Sequence, residues 1–116
     1  MGAAVDITNL ADVEPIELPR GSWSRMVAKG ERSSLGYSVF TPGTALQPVC
    51  HETEEVAYVV SGTGELQLDD DAVAFRGGDA MRIPAGVWHA VVNTGDEDVV
   101  MVFGFPHPDS PPTERR

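Results

Sequence analysis

The stretch Gly78-Asp79-Ala80-Met81-Arg82-Ile83-Pro84-Ala85-Gly86-Val87-Trp88-His89-Ala90-Val91-Val92-Asn93 decides how this chain reads. His89 stands three residues past Gly86, at the end of a Pro-Ala-Gly turn, and Asn93 follows it by four. A small β-barrel presents a metal-ligating imidazole to its interior in this way. Proline and glycine fix a tight turn, and the strand that leaves the turn aims the histidine. Upstream, His51 and Glu55 lie between Gly43 and Gly62 and offer partners of the right chemical type.

Outward from that stretch the chain reads as short apolar runs separated by turn residues. The runs are Trp23 to Ala28, Leu35 to Thr41, Ala45 to Cys50, Val56 to Val60, Glu65 to Leu68, Ala72 to Phe75, Ala80 to Ile83, Trp88 to Val92 and Val99 to Phe105. Between them stand Pro42-Gly43, Ser61-Gly62-Thr63-Gly64, Gly77-Gly78, Ala85-Gly86 and Asn93-Thr94-Gly95-Asp96. Such spacing predicts an all-β sandwich or barrel. Residues 1–22, with Pro15 and Pro19, are expected to be an arm or edge strand, and residues 23–105 the barrel. Residues 106–116 hold prolines at 106, 108, 111 and 112, so they cannot continue a sheet interior. They are expected to be extended, packed on the surface or frayed.

Strand alternation groups the chemistry. Residues two and four apart share a face, so Val49 and His51 point one way and Cys50 the other. Glu55 has the parity of His51 and rejoins its face if Glu52-Thr53-Glu54 is extended or makes a short turn. His51, Glu55 and His89 would then form a 2-His-1-carboxylate metal site with open positions.

These residues resemble the cupin superfamily. Its first motif runs Gly, five residues, His, one, His, three or four, Glu, six, Gly. Gly43, His51, Glu55 and Gly62 match it, and Val49 stands where the first histidine belongs. Its second motif runs Gly, five, Pro, one, Gly, two, His, three, Asn, and Gly78, Pro84, Gly86, His89 and Asn93 all match. The resemblance implies a single cupin barrel, a jelly roll or double-stranded β-helix. It implies one divalent metal ion (Fe, Mn, Ni or Zn) on His51, Glu55 and His89, and a homodimer. Because Val49 removes one ligand, water, substrate, Gln47 or, through a bulge at 49–50, Cys50 is left to complete the site.

Composition bounds the partners. The chain has 116 residues and a formal net charge of −10, which argues against nucleic acid and anionic membrane surfaces. No apolar run approaches the roughly 20 residues that span a bilayer. One cysteine forbids an intrachain disulfide. With no leader-like start, a cytoplasmic protein acting on a small molecule is expected. Arg25, Tyr37 and Gln47 are candidate substrate contacts, Arg25 as a cation for a carboxylate. Trp88, Tyr58, Phe103 and Phe105 are expected in the core, His107 on the surface, and Cys50 as a buried inert thiol. Two functions stay open. One is a small metal-dependent enzyme performing oxidation, isomerisation, elimination or cyclisation. The other is a ligand-binding or sensor protein whose metal site has degraded.

Overall fold

The computed structural model describes residues 4–116, so the first three residues of the expected arm lie outside the described residues. The fold is all-β. β1 (Ile16–Glu17), β2 (Trp23–Lys29), β3 (Ser34–Phe40), β10 (Val99–Phe105), β5 (Glu55–Ser61) and β8 (Ala80–Ile83) form one antiparallel sheet in that order. β7 (Ala72–Arg76), β6 (Thr63–Gln67) and β9 (Ala90–Asn93) form a second, and β11 (Thr113–Arg115) pairs with β4 (Val49–His51). Single bridges, Ala45 to Val92 and Val49 to His89, join β4 and the chain before it to the β9 side. Two walls result, and they face each other across the core.

The sheet register shows which residues fill the barrel. Met101 lies opposite Ser38 and Val59, and Phe103 opposite Gly36 and Ala57. Phe40, Ala57, Val59, Phe75, Val99 and Met101 form the buried cluster. Val59 and Val99 are fully enclosed, each removing roughly 1.5–3 kcal/mol of apolar side chain from water. Gly36 has a specific reason to be glycine: a Cβ there would collide with the ring of Phe103. Phe103 packs edge-on to Phe105 at 5.7 Å, which carries the core toward His51.

The nine expected runs all contain strands, two of them starting late: Trp88 to Val92 is a regular strand only from Ala90. Ala45 to Cys50 is regular only from Val49, because Pro48 has no N–H to donate and the register slips between the two bridges. The arm supplies the short edge strand β1. The tail does more than lie on the surface: its last residues form β11, an edge position that follows rather than contains the prolines. Tyr58 departs from the expected core. It is 49% exposed, because alternation in β5 turns Val56, Tyr58 and Val60 to the outer face. Trp88 is half-buried beneath the Arg116 guanidinium, 4.1 Å from its ring centre. Among the described residues no helix is long and apolar enough to cross a membrane.

Candidate metal centre

Three elements bring the site together. His51 ends β4 and Glu55 begins β5, with Glu52-Thr53-Glu54 making the short turn between them. His89 enters from the Pro84-Ala85-Gly86-Val87 turn, where Val87 N–H donates to the Pro84 carbonyl at 3.3 Å. Gly86 takes φ +78° there, the left-handed conformation that the third position of such a turn requires. Its N–H donates to the His51 carbonyl at 2.8 Å, so the turn that aims one histidine is pinned to the other. Asn93 is structural. Its amide donates to the carbonyls of Phe40 and Glu97, both at 2.8 Å, and its oxygen accepts from Gly95 N–H.

One Glu55 carboxylate oxygen, Oε1, lies 3.3 Å from His51 Nε2 and 3.4 Å from His89 Nε2. The three ligand atoms fall within 4.8 Å of one another. The side chains are largely buried, with relative exposures of 11% for His51, 12% for Glu55 and 6% for His89.

Hydrogen bonding fixes both ring tautomers. His89 Nδ1 is 2.9 Å from the Val87 carbonyl, which only accepts, so Nδ1 carries the proton. Thr113 Oγ1 donates its one proton to the Pro111 carbonyl at 2.8 Å. It must therefore accept from His51 Nδ1–H, also at 2.8 Å. Both Nε2 atoms of the neutral rings are left as lone pairs facing an anionic oxygen. Three acceptors without a donor require a cation, either a proton shared with one ring or a metal ion. Two donors each about 2.1 Å from one ion are roughly 3–3.4 Å apart, which agrees with the two separations from Glu55, while the triangle as a whole spans up to 4.8 Å and would have to close slightly around an ion. Two imidazoles and a carboxylate suit Fe, Mn, Ni or Zn.

The same geometry sets the charge states of the metal-free site. Burial pushes the Glu55 carboxyl up, but hydrogen bonds from His51 and His89 outweigh it and hold the group below its ordinary value. Burial pushes His89 down, and the Glu55 carboxylate with the Val87 carbonyl more than reverses this, so its value is raised.

Val49 forms two backbone hydrogen bonds with His89, each 2.9 Å, as a directly opposed pair. Opposed residues share a face, so Val49 presents its methyl groups on the side that carries both histidines. Cys50 alternates away. Its buried thiol lies 3.8 Å from Glu114 and is pushed up by that burial and by the neighbouring carboxylate. Gln47 is exposed and lies just before β4. Arg25 and Tyr37 are opposed to each other across β2 and β3, and Tyr37 is opposed to Val102. That register puts them on the outer face of the sheet, while Glu55 is on the inner face with Ala57 and Val59. The expectation of Arg25 as a cation beside the metal is corrected accordingly: Arg25 instead covers the Trp23 ring at 4.4 Å and reaches the Leu10 carbonyl. His107 is half-buried and closes a local turn with Asp109.

Sequence reading missed Thr113, which orients His51 from 62 residues away. A threonine after two prolines carries no local signal of that role. It also missed a cavity of about 260 Å³ in the seam between β6, β7 and β8, lined by Leu66, Phe75, Met81, Ile83, Pro84 and Val87 among others. Two of these touch the centre's frame. Ile83 is the register partner of Glu55, and the Val87 carbonyl holds His89.

The cupin domain family matches residues 36–105. The chain belongs to the cupin family. Protein SchB of Streptomyces halstedii is 36% identical over 80 residues, which cover 65% of this chain and 58% of SchB. The 5-nitrosalicylic acid 1,2-dioxygenase of a Bradyrhizobium species is 32% identical over 66 residues, 57% of this chain and 32% of that enzyme. The chain thus spans little more than half of the first relative and a third of the second. Among solved structures, the polyketide cyclase RemF of Streptomyces resistomycificus superposes with a TM-score of 0.81 at 21% identity, over 97% of this chain and 85% of RemF. At that identity the likeness is one of fold.

Proposed function

We propose that this chain is a metal-dependent cupin enzyme acting on a small oxygen-bearing molecule. The observation that carries the reading is the triangle of His51 Nε2, His89 Nε2 and Glu55 Oε1: three buried acceptors, both rings locked in the tautomer that leaves Nε2 free. These residues would hold one divalent ion. Bound there, the ion supplies Lewis-acid polarisation of substrate oxygens and, if it is iron, oxygen activation. The chain's own part is to hold the three donors rigid and to keep water from the apolar side. Val49, opposed to His89, would add methyl groups and no ligand on the side of the histidines. An apolar neighbour in place of a ligand favours a substrate that brings its own oxygens to the centre and carries an apolar part beside Val49. The named activity of the dioxygenase relative is compatible with a small oxygen-bearing substrate.

Metal analysis of protein purified without a histidine tag tests the reading. About one equivalent of a divalent metal is expected, lost on His89→Ala. Less than about a tenth of an equivalent, unchanged by His89→Ala, rejects it.

Val49 also supports a second reading, a ligand-binding protein without catalysis, because an apolar group replaces a ligand-type residue on the active face. Val49→His discriminates. If the natural protein binds metal weakly and the variant binds it tightly, the non-catalytic reading holds. Tight binding by the natural protein excludes it.

A further inference from the structure

We infer that Thr113 is a positioning residue of the metal centre and that the C-terminal strand exists to deliver it. The inference rests on the metal-site reading above. Among the described residues β11 pairs with β4 alone and holds Thr113 opposite His51, Glu114 opposite Cys50 and Arg115 opposite Val49. The strand is tied at both ends. Glu52 N–H donates to the Pro112 carbonyl at 3.1 Å, and Arg116 N–H donates to the Pro48 carbonyl at 3.3 Å. Beyond it, the Arg116 guanidinium lies over Trp88, the neighbour of His89, and pairs with Asp69.

The proton directions follow without choice. The Pro111 carbonyl accepts from Thr113 O–H, and Thr113 accepts from His51 Nδ1–H, each at 2.8 Å. This relay permits one tautomer of His51, with Nε2 as the donor to a metal, and it fixes the ring's rotation. Each bond polarises the next, which makes Nε2 a stronger donor. His89 needs no such help, because its Nδ1 is held by a carbonyl two residues away. Only one of the two imidazoles therefore depends on the tail. A tail that merely capped the sheet edge would need backbone pairing and would be indifferent to a hydroxyl at position 113.

The test compares Thr113→Val with Thr113→Ser. Valine keeps the shape and the strand propensity but cannot accept a proton, while serine restores the relay. Co(II) affinity, measured by competition with a chelating dye, is expected to fall about 10–100-fold in Thr113→Val, as is typical when an outer-shell partner of a ligand is removed. It should stay within about threefold of wild type in Thr113→Ser. The metal-free melting temperatures report folding separately. Equal Co(II) affinity in Thr113→Val and wild type overturns the inference, as does a serine variant as weak as the valine variant. A wild type that binds no Co(II) overturns the metal reading and this inference with it, a different result from either. A second measurement uses the natural chain. Nitrogen-15 spectra of the Zn(II)-loaded protein should show His51 bound through Nε2, with a protonated Nδ1 close to the Thr113 methyl. Zinc on Nδ1 of His51, or no such proximity, overturns the inference.

Discussion

Glu55 and His89 oppose each other in charge as well as in space, and this gives the metal-free protein a definite pH response. The Glu55 carboxyl is held below its ordinary 4.5 by the two imidazoles, against burial. His89 is raised above its ordinary 6.5 by Glu55 and the Val87 carbonyl, again against burial. A raised histidine contributes stability that is complete below its unfolded value and fades as pH rises through its folded value. A lowered carboxyl contributes stability that is complete above its unfolded value and fades as pH falls through its folded value. The pair therefore stabilises most between about 4.5 and 6.5, where both partners are charged. The melting temperature of metal-stripped protein should decline as pH is raised from 6 toward 9, and Glu55→Gln should flatten that alkaline decline. Equal slopes in the two proteins would show that the pair is not linked to folding. His51, Glu55 and His89 were legible as candidates because the chain has only three histidines, Glu55 shares the parity of His51, and all three fall at the spacing of the two motifs. Thr113 was not, because its role depends on a strand pairing across 62 residues. Arg25 was misplaced for a related reason: near the N-terminus no turn fixes which parity faces inward, and only the pairing of Arg25 with Tyr37 settles it.

At the scale of elements, the strands of the large sheet transmit packing to the centre. Gly36 on β3 admits the Phe103 ring, Phe103 supports Phe105 at 5.7 Å, and Phe105 stands edge-on to His51 at 5.0 Å. Adding one methyl at Gly36 must displace Phe103, and overpacking of this kind typically costs about 1–3 kcal/mol. Gly36→Ala should lower the unfolding free energy by that amount, read as a lower urea midpoint with an unchanged slope; a midpoint equal to wild type would mean that the ring has room to move. Strand existence was readable from turn residues and apolar runs, and β8 from Ala80 to Ile83 forms with the expected ends. The ends of β4 were not readable, because Pro48 and the slip between the two bridges shorten it. β11 escaped notice because four prolines before it mask a three-residue strand.

For the whole molecule, the outer face of the six-stranded sheet is the feature that the barrel itself leaves unused. Leu35, Val56, Tyr58 and Val60 are 42%, 51%, 49% and 48% exposed. Tyr58, expected in the core by its aromatic character, belongs to this face because alternation outranks hydrophobicity within a strand. The family resemblance implies a homodimer through edge strands and termini, and we propose that this face adds to such a contact. Each copy carries −10, so association on this face should strengthen as salt screens the repulsion. Sedimentation equilibrium should give a dimer for the natural chain and a monomer for Tyr58→Asp. A monomeric natural chain at every salt concentration would show that the face serves another purpose. The all-β barrel was fully implied by two spaced motifs and the rhythm of turns between them. The reaction was not, since one fold hosts many chemistries.

We propose that His51, Glu55 and His89 together hold a metal ion. Elemental analysis of the untagged protein, purified both with and without oxygen, tests it most directly and separates iron from zinc in the same experiment. About one equivalent of a single divalent metal, removed by His89→Ala, is expected. A protein with less than about a tenth of an equivalent, indifferent to His89→Ala, would contradict it.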